Sequence, residues 1–579
     1  MKYRICISAL LLWAGMQVSA SNNQKEVVIK IIETSDVHGN FFPYNFIERK
    51  EWSGSLARVH SFVKEQREKY GDNCLLMDNG DILQGQPTAY YYNFMDTVST
   101  HVAADMMNYM GCVVGNMGNH DVETGHAVYD RWIKQCDFPV LGANIIDNAT
   151  GKPYLKPYEV LERDGVRIAV LGMITPAIPS WLPEKLWSGL HFEEMEPCAR
   201  KWVKIIKEKE NPDVIVGLFH AGKSGNVLGQ VVEDASMDVA KRVPGFDVVL
   251  MGHDHTRECV KVQNVAGDSV LVIDPANNAN VVSDVTLTVT KKDGKVVAKS
   301  VEGRLADMNK YPVSQEFMDK FAPQYKAVND FVSRKIGTIS RTITAKDAYF
   351  GSPFIDLIHQ LQLEISGAEV SFCAPLSFRA EIKEGDIYVS DMFNLYKYEN
   401  MLYVMELSGK EIKDFLEMAY AIWTNQMKSP EDHLMLFKEP VEEGKRANFK
   451  NFSFNFDSAA GINYTVDVTK PAGEKITIQS MSDGTPFSMD KVYKVALNSY
   501  RGNGGGDLLT LGAGISKEDL AKRIIFATDK DLRYYLMQYI ELEKVLHPHA
   551  MHQWKFIPEE WTVPAAKKDY QLLFGEEKK

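Results

Sequence analysis

Between residues 27 and 251 the chain makes five short apolar runs that each stop at residues able to bind a metal, and this pattern constrains the fold more than any other feature. Residues 27–34 lead to Asp36 and His38, and 74–78 run into Asp81 within DNGD. Residues 113–114 lead to Asn119 and His120 in MGNHDVE, His220 closes DVIVGLF, and His253 and His255 close FDVVLM within MGHDH. Together with 166–172, these runs alternate with amphipathic segments such as 53–70, where Leu56, Val59 and Val63 fall at helical spacing. Short β-rich runs alternating with helices predict an α/β fold to about residue 300, closing with the half-exposed strand TLTVT at 286–290.

Open α/β sheets place their ligand sites at the carboxyl ends of strands, so these loops should converge on one edge. In an extended chain the spacing of Asp36 and His38, and of His253 and His255, aims each pair to one side. Asp81 has two oxygens with which to bridge two cations, and Asn119 offers a neutral oxygen. The set lacks thiolate and suits Zn, Mn, Fe or Co. A lone histidine or acid at a strand end is ordinarily a packed residue or a turn former. Here, however, four of the 14 histidines (38, 220, 253 and 255) are candidate ligands in three such loops, alongside glycines, two aspartates and an asparagine. Independent turn chemistry would not choose histidine so often.

At 579 residues and 45% hydrophobic, the chain can bury cores for two or three domains. Residues 1–20 place Lys2 and Arg4 before an apolar stretch that ends Val18-Ser19-Ala20, which reads as a signal peptide cut after Ala20 and so as export to a periplasmic or extracellular space. That stretch falls short of the roughly 20 residues a membrane span needs, and no later run is long and apolar enough. Without Lys2 and Arg4 the chain carries 63 basic against 77 acidic residues, a net charge of −14. Such a surface repels nucleic-acid polymers but admits a small phosphorylated substrate where metals supply positive charge. The six remaining cysteines (74, 112, 136, 198, 259 and 373) are dispersed without CxxC spacing and read as buried thiols.

The sequence divides into a domain at 27–312, a connecting segment at 313–345, a second domain at 346–545 and a packed tail at 546–579 that holds Trp554 and Trp561. In the connection, Phe317, Phe321, Val328, Val332 and Ile336 form a helical stripe interrupted by Pro323. Ser352 and Pro353 read as the N-cap and first turn of the helix that opens the second domain.

DVHG, NGD, GNHD, the isolated His220 and GHDH, in this order, resemble the calcineurin-like metallophosphoesterases. With its large second domain the chain resembles the exported bacterial 5′-nucleotidase family, which includes UDP-sugar hydrolases and 2′,3′-cyclic-nucleotide 2′-phosphodiesterases. The resemblance implies a four-layer α/β/β/α sandwich with two divalent metal ions, followed by a second α/β domain that binds substrate. Asp36, His38, Asp81 and His255 would hold one metal, and Asp81, Asn119, His220 and His253 the other. It also implies hydrolysis of nucleoside phosphates by attack of a metal-activated hydroxide in line with the leaving oxygen. His120 would face the phosphate, helped by an acid that raises its pKa. The family's nucleotidases carry Asp three residues later and its cyclic phosphodiesterases Asn, whereas this chain has Glu123.

LYKYEN (395–400), PLSFRAEIKEGDI and SYRGNGGGD (499–507) resemble the family's substrate domain. On those motifs Tyr398 and Tyr500 would sandwich a nucleobase, Asn400 would read its edge, Asp507 would bind ribose hydroxyls and Arg379 would approach the phosphate or base. Tyr396 is the rival stacking residue on the same strand face, Asp507 stands one residue later than the family pattern, and Arg379 has Glu381 and Glu384 as rival partners. HPHAMH (547–552) falls outside the motif set and reads as a turn. Tyrosines at the stacking positions lean towards the alternative, a 2′,3′-cyclic-nucleotide 2′-phosphodiesterase with 3′-nucleotidase activity. A catalytically silent surface nucleotide-binding protein is the alternative of another class, against which the intact ligand set argues.

Overall fold

The computed structural model describes residues 24–228, 231–350, 352–439 and 445–575. The leader expected at 1–20 lies outside them. Strand Gln24–Thr34 pairs in parallel with Cys74–Asp78 and antiparallel with Val281–Lys292. Its sheet runs Lys295–Asp307, Val281–Lys292, Gln24–Thr34, Cys74–Asp78, Cys112–Asn116, Val140–Leu141. A second six-stranded sheet runs Arg257–Gln263, Ser269–Pro275, Val248–Met251, Val214–His220, Val166–Ile174, Tyr158–Arg163. Its central strands are buried on both faces, which explains why Val214–His220 is apolar throughout until its last residue.

The two sheets face each other across a core in which Ile29, Ile31, Leu75, Met77 and Val114 meet Ile168, Val170, Val216, Leu218 and Leu250. Helices Leu56–Tyr70, Val102–Tyr109 and His126–Gln135 cover the outer face of the first sheet. Helices Met195–Glu210 and Ser236–Arg242 cover the second. The domain is therefore a four-layer α/β/β/α sandwich. In strand Val281–Lys292, Val285, Leu287 and Val289 turn inward while Thr286 and Thr288 are half-buried, as the alternation at 286–290 predicts.

The sheets are also stitched by side-chain amides near the ligand edge. Asn116 Nδ2 donates to the carbonyls of Met173 (2.8 Å) and Leu218 (3.0 Å) across the sandwich, and to Asn79 Oδ1 (3.0 Å). Asn79 Nδ2 in turn donates to Glu33 Oε1 (2.9 Å) and the Phe219 carbonyl (3.1 Å).

The stripe expected across 317–336 is three elements rather than one. Helices Gln315–Lys320 and Ala322–Val332 abut, and Pro323 begins the second because a first-turn residue needs no N–H donor. Ile336 lies in strand Lys335–Ile339. The second domain centres on a sheet ordered Ser458–Ala460, Val370–Cys373, Val492–Asn498, Met401–Ser408, Ile524–Asp531. Ser352 caps helix Pro353–Ser366, accepting from Phe354 N–H at 3.1 Å. Alternation along Val492–Asn498 splits the two faces: Val495 and Leu497 pack with Phe372, Phe415 and Trp423, whereas Ala496 turns towards Ile358 and Leu361. That second face belongs to one continuous apolar cluster reaching back through Val328, Phe321 and Phe317 to Phe62 and Val59. Strand Trp554–Ile557 adds in parallel to Ile462–Asp467, and helix Glu559–Phe574 packs on the second core. All six described cysteines are free thiols; Cys259 is exposed and Cys136 is half-buried, and the other four are buried.

Asn116→Leu keeps the branched outline of the side chain but leaves the Met173 and Leu218 carbonyls without this donor. The expected cost is about 1–3 kcal/mol, read as a lower urea midpoint for the catalytic domain.

Candidate metal centre and the cleft beside it

The ends of these strands deliver seven side chains to one place. His38 Nε2 lies 3.0 Å from His255 Nε2, and Asp36 Oδ1 lies 3.2 Å from His255 Nε2 and 3.9 Å from His38 Nε2. His220 Nε2 lies 3.2 Å from Asp81 Oδ2, 4.0 Å from Asp36 Oδ1 and 3.1 Å from Asn119 Oδ1. Asn119 Oδ1 is 2.8 Å from His253 Nδ1. The convergence does not come from extended backbone. Asp36 (φ 51°), His38 (49°), Asp81 (55°), His253 (82°) and His255 (57°) are all left-handed. A non-glycine residue there costs about 1–3 kcal/mol and persists only where its surroundings hold it.

A buried carboxylate does much of that holding. Asp121 accepts the N–H groups of Gly118 (2.8 Å), Asp81 (2.9 Å), Ile82 (3.0 Å) and Leu83 (2.9 Å), clamping the DNGD loop to the GNHD turn. Asp36 Oδ2 accepts from Ser35 Oγ (2.5 Å) and from His253 N–H (3.0 Å), which ties the first ligand loop to the last. His220 Nδ1 donates to the Asn79 carbonyl at 2.6 Å, fixing the tautomer that leaves Nε2 facing Asp81. Asn277 Nδ2 lies 2.9 Å from His255 Nδ1.

This donor set fits divalent cations. Asp36 Oδ1 is buried without a hydrogen-bond partner, and the Nε2 atoms of His38 and His255 face each other at 3.0 Å beside it. Burial alone would raise Asp36, but His220 and His255 hold its carboxyl at about 2. Asp81, also opposed by burial, is likewise held below the usual carboxylate range by His220 and His120. Burial drives His38 down to about 3, leaving it a neutral ligand. The residues separate into the ligand groups Asp36–His38–His255 and Asp36–Asp81–His220, with His253 reached through Asn119.

His120 stands at the edge of this centre, its ring 5.4 Å from that of His38. Its Nδ1 donates to Glu123 Oε2 at 2.5 Å, and its N–H donates to Asp81 Oδ1 at 2.8 Å. Burial works against the imidazolium, yet the carboxylates of Asp81 and Glu123 outweigh it and hold His120 up at about 9. Bound cations would oppose that.

Across the cleft, LYKYEN is no strand: helix Val389–Leu395 ends there, and the segment crosses to strand Met401–Ser408. Tyr396 is 1% exposed and closed into the core. Tyr398 is half-buried; burial, then the nearby charges of Glu123 and Tyr500, push its hydroxyl up to about 12. Tyr500 is half-buried, and burial pushes its hydroxyl up, with Arg501 pulling against it and Asp457, Asp507 and Glu233 adding to the rise; it meets Phe454 edge-on at 6.1 Å. The two tyrosines are thus within electrostatic reach of one another, and each also feels an acid of the first domain, Glu123 or Glu233. Asn400 is 8% exposed, beside Tyr396. Asp507 is exposed, left-handed (φ 60°) and accepts from Thr510 Oγ1 at 3.1 Å. Arg379 is exposed near Lys397 and, among the described residues, pairs with neither Glu381 nor Glu384. HPHAMH forms no three-ligand group among the described residues. Sequence reasoning passed over Asp121, Asn79, Glu233 and Trp181, whose ring lies 5.7 Å from that of His253 and whose carbonyl lies 3.5 Å from Asn503 Nδ2.

The family model for the calcineurin-like phosphoesterase matches residues 29–257, and the model for the 5′-nucleotidase C-terminal domain matches residues 335–512. The chain belongs to the two-domain 5′-nucleotidase family of metallophosphoesterases. It is 26% identical over 622 residues to the 2′,3′-cyclic-nucleotide 2′-phosphodiesterase/3′-nucleotidase of Yersinia enterocolitica, covering 94% of this chain and 90% of that one. It is 26% identical to the trifunctional nucleotide phosphoesterase protein YfkN of Bacillus subtilis over 92% of this chain, but it spans only 39% of that protein's length. The 5′-nucleotidase precursor of Thermus thermophilus superposes with a TM-score of 0.62 at 20% identity, over 92% of this chain and all of that one, and so shares its fold.

Asp121 touches no candidate metal position, yet Asp121→Ala should cost the protein at least one ion per chain by elemental analysis after dialysis. It would leave four loop amides without their common acceptor.

Proposed function

We propose that the chain is an exported, metal-dependent nucleotide phosphohydrolase of the 5′-nucleotidase type, which hydrolyses nucleoside phosphates to nucleoside and phosphate. The observation that carries this reading is the facing of the two halves. Trp181, whose ring lies 5.7 Å from that of His253, has its carbonyl 3.5 Å from Asn503 Nδ2, three residues beyond Tyr500, and the charge of Glu123, the partner of His120, reaches Tyr398. A phosphate at the metal centre and a planar base between the tyrosines would then belong to one molecule.

Asp36, His38, Asp81 and His255 would hold one divalent cation, and Asp81, Asn119, His220 and His253 a second, with Asp81 shared. The chemistry that such cations supply when bound is Lewis-acid charge, which activates water for attack at phosphorus and offsets phosphoryl charge. The chain's own residues do the rest. Glu123 holds His120 Nδ1–H, which leaves Nε2 free to face a phosphate oxygen and to hand a proton to the departing alkoxide. Tyr398 and Tyr500 hold the base by stacking worth about 1–3 kcal/mol. Asn400 reads the base edge, Asp507 takes ribose hydroxyls, and Arg379 lies near enough to Lys397 to add positive charge at the cleft mouth. Residues 313–345 serve as the joint on which the domains close, and cleavage after Ala20 places the enzyme outside the cytoplasm. Among the described residues, no helix is long and apolar enough to cross a membrane.

A second reading, a 2′,3′-cyclic-nucleotide 2′-phosphodiesterase with 3′-nucleotidase activity, is favoured by tyrosine at both stacking positions. A panel of AMP, 3′-AMP, 2′,3′-cyclic AMP, ATP and UDP-glucose, scored for phosphate and product, separates the two. A metal-loaded enzyme inert on every member would leave only a nucleotide-binding protein.

Asp81→Ala should abolish both metal uptake and phosphate release. Glu123→Gln should lower turnover while metal content stays intact. Tyr398→Ala or Tyr500→Ala should cut kcat/KM on nucleotides roughly 5- to 150-fold, with little effect on p-nitrophenyl phosphate. Equal losses on both substrates would remove the base sandwich.

A further inference from the structure

Beside the seven ligands lies a third cluster of acids and histidine, formed by Glu233, Asp234 and His253. His253 has two ring nitrogens, and both are engaged. Nδ1 lies 2.8 Å from Asn119 Oδ1, on the side of the metal centre, and Nε2 lies 3.0 Å from Glu233 Oε1, on the side away from it. Asp234 is committed within its own hairpin: Oδ1 accepts from Gly222 N–H at 2.8 Å and Oδ2 from Asn226 Nδ2 at 2.9 Å. The cluster is therefore a carboxylate set behind a histidine and not a third cation site.

Glu233 is itself well fixed. It sits on strand Val231–Asp234, and its carbonyl accepts from Thr175 Oγ1 at 2.9 Å. Thr175 N–H in turn donates to the His220 carbonyl at 2.8 Å, so the hairpin is fastened to the strand end that carries another ligand. The side chains of His253 and Glu233 are 10% and 15% exposed, so water competes little for the bond between them.

We propose that Glu233 is a positioning residue for the metal centre: it accepts the Nε2–H of His253, fixes that tautomer, and so turns the Nδ1 lone pair towards Asn119 and the second cation. An ionised carboxylate has no proton to give, so the shared proton stays on Nε2 and Nδ1 is left as the ligand atom. A carboxylate behind a ligating histidine also makes the ring a stronger donor, and such outer partners are worth 10- to 100-fold in metal affinity. The proposal rests on the two-cation reading above and refines it.

The test uses the full chain, stripped with a chelator and reloaded with Zn(II) or Co(II) at buffered free concentrations, for the wild type, Glu233→Ala and Glu233→Gln. Wild type should take up two ions. Glu233→Ala should keep one and bind the other about 10- to 100-fold more weakly, with the Co(II) absorption of a single site altered. Glu233→Gln keeps an acceptor for Nε2–H and should fall between. Unfolding midpoints of the metal-free proteins should coincide, because the bond to His253 would then be a local one. Two ions bound by Glu233→Ala at wild-type affinity would overturn the proposal. So would three ions in the wild type and two in the variant, which would make the cluster a cation site. A wild type that takes up no divalent cation would overturn the metallophosphoesterase reading beneath it.

Discussion

Four backbone amides from two separate loops end on the single carboxylate of Asp121, and the geometry of the metal centre depends on that convergence. Asp81 and its neighbours must hold a left-handed turn that an L-residue avoids by about 1–2 kcal/mol. Nothing local to DNGD supplies that energy. A fully buried carboxylate that has lost its water gains more from each N–H it accepts than an exposed one would, so the clamp and its burial reinforce each other. Asp36 plays a related part at the other end of the site, where its outward oxygen takes the amide of His253 and its inward oxygen is left for a cation.

Beneath the loops, the sandwich sets how far apart the strand ends can be. The core of branched aliphatic side chains fixes the spacing of the sheets, and Asn79 and Asn116 fix their register at the edge where the ligands leave. Buried amides are costly unless satisfied, and each of these bonds several groups, so a slide of one sheet over the other would break bonds at both. Positioning of the ligands is thus a property of the two-sheet stack and not of any one loop.

The second domain meets the first through a continuous apolar cluster, and a buried ion pair of the second domain packs against the first at this seam. Arg533 Nη2 lies 2.9 Å from Glu399 Oε1, and its guanidinium lies 4.6 Å from the ring of Tyr90 and 4.5 Å from that of Phe393. One ring comes from each domain. Burial pushes Glu399 up to about 7, Arg533 pulls against it, and the charge of Glu123 adds to the rise. A buried pair adds little net stability, but removing one partner strands the other charge, and undocking the domains would take Tyr90 from the guanidinium. Since Glu399 stands between Tyr398 and Asn400, it holds the segment read as the base pocket beside the His120–Glu123 pair.

The sequence by itself determined the α/β class, the strand ends that carry ligands and the oxygen-and-imidazole character of the site. These are legible because fully buried strands are apolar throughout and a histidine at the end of such a run has no local reason to be there. Ser352 as a helix cap was legible for a similar reason, since capping is settled within three residues. Only the tertiary structure decided the rest. The left-handed backbone at five ligands could not be read from spacing, because the amides and carboxylates that impose it lie up to 217 positions away, as with Asp36 and His253. Asp121, Asn79, Asn116 and Glu233 look in the sequence like ordinary turn or hairpin residues, and each acquires its role from a partner on another strand. Tyr396 and Tyr398 are two residues apart and similar in composition of surroundings. Burial of the one and partial exposure of the other follow from where helix Val389–Leu395 ends, at Tyr396, and that end was settled by tertiary packing and not by local pattern.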